Sequence, residues 1–72
     1  MKYDAVVSIV EIDDLDLVGV ETFTNDDDGI KQAKQSFIDK AVSRGATEAE
    51  AKEYLEDDGY YETGQYQLYI KV

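Results

Sequence analysis

Apolar residues recur at three- and four-residue intervals through one long stretch of this chain. Between Thr24 and Gly45, residues Ile30, Ala33, Phe37, Ile38, Ala41 and Val42 share one face of a 3.6-residue period, with Gln32, Gln35, Ser36, Asp39 and Ser43 opposite them. The spacing predicts an amphipathic helix. Thr24 with Asp27 reads as its capping box, and Gly45 as its C-terminal stop. Lys34 falls inside the apolar stripe, where its stem is expected to snorkel past the sheet edge; an ion pair with an acid of the preceding hairpin is the alternative.

Upstream of the helix the period is two. Tyr3, Ala5, Val7 and Ile9 alternate with Asp4, Val6, Ser8 and Val10, and Ile12 extends the second set. Both sets are rich in apolar residues, so both faces are expected to be at least partly covered, as in a central strand. Asp13-Asp14 reads as a turn. Leu15 to Phe23 then returns as a second strand whose parity changes near Gly19, and a bulge there would reconcile its halves.

Downstream, Thr47 to Glu50 forms a second capping box. It opens a shorter helix, Glu48 to about Asp57, with Ala51, Tyr54 and Leu55 inward and Gly59 as its end. The tail, Tyr60 to Val72, reads as a third strand: Tyr66, Leu68, Ile70 and Val72 alternate with Gln65, Gln67, Tyr69 and Lys71. Thr63-Gly64 makes a tight turn or bulge just before that alternation. The order predicts a small α+β domain, ββααβ, with a three-stranded sheet of order 2-1-3 and both helices packed on one face. The direction of the third strand stays open.

Composition narrows the chemistry. At 72 residues the chain makes one domain near the lower limit for a self-supporting core. It has no cysteine and no histidine, which excludes disulfides and ordinary zinc sites. Packing must hold it together, and dimerisation or a bound partner would assist. It carries no secretory leader and no apolar run of about 20 residues, so a soluble, cytoplasmic protein is expected, in a host cytoplasm if virus-encoded.

Charge is the outlier. Seventeen acids against seven bases leave a net −10. No base lies between Lys2 and Lys31, and Lys52 is alone between Glu48 and Glu62. Such a field repels nucleic acid and anionic membranes and attracts basic protein surfaces. Neither direct nucleic-acid binding nor membrane binding is expected.

No catalytic constellation stands out. Asp26-Asp27-Asp28-Gly29 resembles part of a calcium loop, but aligning Gly29 with the loop glycine puts Thr24 and Gln35 where the terminal acidic ligands belong. Carboxylates offsetting the positive pole of a helix N-terminus is the better reading. Asp13, Asp14 and Asp16 form a solvated turn rather than a magnesium clasp. No phosphate loop, nucleophile elbow, Ser–His pair or Cys–His pair exists. No enzyme, cofactor or metal is expected.

Six tyrosines carry more weight, four of them in the last thirteen residues. In the simplest reading Tyr54 and Tyr66 are core, while Tyr61 and Tyr69 pair across strands on an exposed sheet face. Tyr60, Tyr61 and Tyr69 also lie beside Glu56, Asp57, Asp58 and Glu62, which together make an acidic, aromatic patch.

Compact, cysteine-free, strongly acidic chains of this kind are similar in general character to phage-encoded antagonists of host nucleases and of restriction or CRISPR systems. The likeness is one of size and composition and covers no motif. It implies an inhibitor that docks on a basic, nucleic-acid-binding surface, such as a nuclease, by mimicking nucleic acid. The expected contact residues are Asp26, Asp27, Asp28, Glu56, Asp57, Asp58, Glu62, Tyr60, Tyr61 and Tyr69. The alternative is a structural or homo-oligomeric module, a homodimer through its tyrosine-bearing sheet, whose acids serve solubility. Adaptation to high salt sits poorly with six lysines among the seven bases.

Overall fold

The computed structural model describes residues 6 to 71. The predicted start of the first strand (Tyr3, Asp4 and Ala5) and Val72 lie outside the described residues. The elements in order are β1 (Val6–Asp13), β2 (Asp16–Thr24), α1 (Asp27–Ser43), α2 (Glu48–Asp57), β3 (Tyr60–Thr63) and β4 (Tyr66–Lys71). They form an α+β structure with both helices packed against one face of an antiparallel sheet.

The sheet has four strands in the order β2-β1-β4-β3, which corrects the expected three in the order 2-1-3. The tail is a hairpin. Thr63 pairs with Tyr66 across Gly64 and Gln65, and Gly64 takes a positive φ of 55°. β3 holds two aromatics followed by two polar residues, too short a segment for alternation to announce it. The last strand runs antiparallel to β1.

β1 is central, as its composition implied. Val7 and Ile9 are fully buried beneath the helices, while Val10 and Ile12 point to the other face and are half-buried by neighbouring strands alone. The expected bulge is present: Glu11 faces Gly19 and Ile12 faces Leu17, leaving Val18 as the extra residue. It brings Leu17 and Val20 to the same face. The β1–β2 turn lies one residue later than expected, on Asp14 and Leu15, with φ values of 52° and 67°.

The long helix is capped differently from the prediction. Asp26, not Thr24, is the N-cap, its carboxylate accepting from the Gly29 amide at 2.7 Å. The Thr24 hydroxyl braces Asp26 from behind at 3.0 Å. A Cβ at position 29 would stand 1.9 Å from the Thr24 carbonyl oxygen, so close backbone approach accounts for the glycine of the acidic triplet. At the other end, Gly45 (φ 109°) donates to Val42 and Ala46 donates to Ala41, a Schellman closure. α2 opens on the predicted capping box: Thr47 and Glu50 bond reciprocally at 3.0 and 3.1 Å.

Phe37, Ile9, Leu68 and Val7 are the largest fully buried side chains and tie α1 to the middle of the sheet. Two tyrosines exchange their expected places. Tyr61 is 8% exposed beneath α2, while Tyr54 is 41% exposed and packs its ring on Tyr61 at 5.4 Å. Lys34 is exposed. The basic residues that reach the hairpin acids are Lys40, one helical turn beyond Phe37, and Arg44. Among the described residues no helix is long and apolar enough to cross a membrane.

Candidate functional site

Strand pairing decides where the acidic clusters fall. β2 ends at Thr24, opposite Val6, and runs directly into Asp26-Asp27-Asp28 at the start of α1. α2 returns antiparallel to α1 and delivers Glu56-Asp57-Asp58 to Tyr60, which faces Tyr69 near the end of β4. The Ile70 amide donates to the Gly59 carbonyl at 2.9 Å and locks this exit to the sheet. The first triplet therefore follows β2 at one edge of the sheet and opens α1, and the second closes α2 and leads into β3 at the opposite edge.

All six triplet carboxylates are exposed, and none belongs to an ion pair among the described residues. Asp26 is occupied as a cap: the Gly29 amide, then the Thr24 hydroxyl, hold its carboxyl below the usual range. Asp27 and Asp28 offset the positive pole of α1. Glu56, Asp57 and Asp58 crowd the negative pole of α2, whose last turn holds no basic residue. Lys31 and Lys34 follow on the early turns of α1, Lys34 and Lys52 line a depression with Glu56, and Lys71 closes β4.

The hairpin acids behave differently. Lys40 lies 2.9 Å from Glu21 and 3.4 Å from Glu11, and Arg44 lies 3.3 Å from Asp13 while stacking over the Tyr66 ring at 4.1 Å. Ser36 donates to Glu21 at 2.8 Å. Hydrogen bonds from Lys40 and then Ser36 lower the Glu21 carboxyl, and its bond to Glu21 chiefly raises Lys40. These acids join α1 to the sheet and are neutralised within the fold.

The face of the sheet away from the helices is open. Val20, Val10, Tyr69 and Tyr60 form one row across all four strands. Leu17, Ile12, Gln67 and Glu62 form the next, and Thr22, Ser8 and Lys71 the row on the other side. Leu17 and Val20 remain 64% and 50% exposed. Burial, then the Glu62 charge, raises the Tyr60 phenol above its ordinary value.

Of the sequence-predicted contact residues, Asp26, Asp27 and Asp28 stand exposed at the start of α1, and Glu56, Asp57 and Asp58 stand exposed at the end of α2. Tyr60, Tyr69 and Glu62 lie on the open face. Tyr61 points the opposite way, into the core, and has little surface to present. Sequence reasoning missed two features. One is the apolar face itself, signalled by Leu17 and Val20 on what proves to be an edge strand. The other is an open depression of about 500 Å³ lined by Glu53, Tyr54, Glu56 and Asp57 along α2. Among the described residues no group of three or more acids is arranged to hold a metal ion. No family model, curated protein or solved structure matches this chain.

Proposed function

We propose that this chain is a small acidic protein-binding module, without catalytic activity, that docks its exposed carboxylates on a basic, nucleic-acid-binding surface of a partner and inhibits it by standing in for nucleic acid. One observation carries the reading: two carboxylate triplets, one at a terminus of each helix, are exposed and stay outside the ion pairs among the described residues. Their mutual repulsion, and the unfavourable helix pole under Glu56, Asp57 and Asp58, burden the free protein. A cationic partner would relieve both.

The depression beside the second triplet suits one kind of partner group. Glu53, Glu56 and Asp57 surround the half-exposed Tyr54 ring. An arginine of the partner would find carboxylates for its fork and an aromatic face for its plane.

The test is capture from a cell lysate at low and at high salt, followed by competition with nucleic acid. A quadruple variant (Asp27→Lys, Asp28→Lys, Glu56→Lys and Asp57→Lys) keeps Asp26 as the α1 cap. Expected is a basic partner held at low salt, released by salt or nucleic acid, and lost by the variant. Recovery of no basic partner, or a variant that binds as well as the wild type, overturns the proposal. The alternative, a homo-oligomeric module, draws on a different surface.

A further inference from the structure

The open sheet face leaves unexplained why so acidic a chain keeps one of its surfaces apolar. One third of all residues are charged, yet among the paired strand residues of that face only Glu62 and Lys71 are, with opposite signs. A cationic partner gains nothing there. For two copies of this chain, each carrying −10, it is the surface across which they approach without bringing like charges together.

We infer that the open face seats a second copy of this chain, the two sheets packing face to face about a two-fold axis that runs along the Val20–Val10–Tyr69–Tyr60 row. The register selects this axis. Lys71 lies two residues to one side of the row, beside Ser8, and Glu62 two residues to the other, beside Gln67. Each is about 7 Å from the row along the strand, so the two are too far apart to pair within one chain. Rotation about the row exchanges the ends of the face. Lys71 of one copy then lies over Gln67 of the other, one strand spacing, about 4.8 Å, from Glu62. Two symmetric Lys71–Glu62 bridges result, at the rim of an interface whose sheets stack roughly 10 Å apart. A two-fold axis parallel to the strands would instead set Glu62 over the apolar Leu17.

In this arrangement each residue of the row meets its own copy, Tyr69 on Tyr69 and Val10 on Val10, as an isologous contact requires. The face spans four strands and about three rows of side chains, so the pair buries on the order of 1,000 Å² in total. That is the lower bound for a specific interface. The dimer is accordingly reversible, in the micromolar range, and leaves the carboxylate triplets of both copies exposed.

Sedimentation equilibrium of the full chain from about 1 μM to 1 mM tests the inference. A dimer is expected that persists or tightens as salt rises, the reverse of the salt response expected of the carboxylate triplets. Val20→Lys and Tyr69→Lys should each weaken it by about tenfold or more while leaving the monomer's circular dichroism intact. Glu62→Lys alone and Lys71→Glu alone should each weaken it, and the double exchange should restore it; both positions are at the rim, so folding does not confound this arm. A monomer throughout the range overturns the inference and frees the face for an unrelated protein. A dimer that survives Tyr69→Lys is an edge-to-edge pairing of β2, and also overturns it. Failure of the double exchange to restore association overturns the axis. None of these variants touches the acidic triplets, so either proposal can fail alone.

Discussion

The Tyr66 hydroxyl donates to Glu11 Oε2 at 2.7 Å, joining positions 55 residues apart across the β1–β4 pair. The same carboxylate receives Lys40 from α1, and the Tyr66 ring carries Arg44 on its face. One tyrosine thus gathers the last strand, the central strand and the long helix. Burial, then the Glu11 carboxylate, pushes its phenol far above the usual tyrosine range.

Removing only that hydroxyl isolates its contribution. Tyr66→Phe keeps the buried ring and the Arg44 stack but leaves Glu11 a partner short. A loss of about 1–2 kcal/mol is expected, read as a lower urea midpoint at unchanged slope. Tyr54→Phe, at a ring 41% exposed, is the control and should change little.

Stability should fall at both ends of the pH range through the Lys40–Glu21 pair. Glu21 is depressed below its ordinary 4.5, so its contribution is present above that value and is lost as pH falls through the lowered one. Lys40 is raised above 10.5, so its contribution is present below that value and is lost as pH rises through the raised one. Lys40→Met should flatten both limbs of a melting-temperature profile. At neutral pH it should cost about 1 kcal/mol or less, because the Glu21 side chain is 47% exposed and solvent screens the pair.

The β1–β2 turn holds a leucine where glycine is favoured. Leu15 has φ 67° and is 85% exposed, so it bears backbone strain without packing in the fold. Leu15→Gly should stabilise the protein by about 0.5–1 kcal/mol in thermal or urea unfolding. A loss of stability would mean that the side chain packs in a way the exposure does not reveal.

Much of the fold was legible along the chain. The α1 stripe, the Thr47–Glu50 capping box, the central character of β1 and the bulge beside Gly19 were all readable, because each depends on neighbours a few residues away. The errors have different causes. The spacing of Thr24 fits a cap, but backbone geometry gives that role to Asp26. Tyr60 to Thr63 hides a strand because four residues carry no period. The face on which Tyr61 falls cannot be read until the turn that sets the parity of β3 is placed, and the exposure of Tyr54 depends on how α2 lies over Tyr61.

By itself, the sequence determined both helices, the glycine stop of α1 and the capping box of α2, the two-strand start and the excess of negative charge, since propensity, capping and hydrophobic period act over short separations. Only the tertiary structure decided that β4 lies beside β1, that Lys40 and Arg44 neutralise the hairpin acids, and that an apolar sheet face stays uncovered. Those outcomes rest on strand order and helix direction. Both are set by contacts between residues tens of positions apart, where no local pattern reaches.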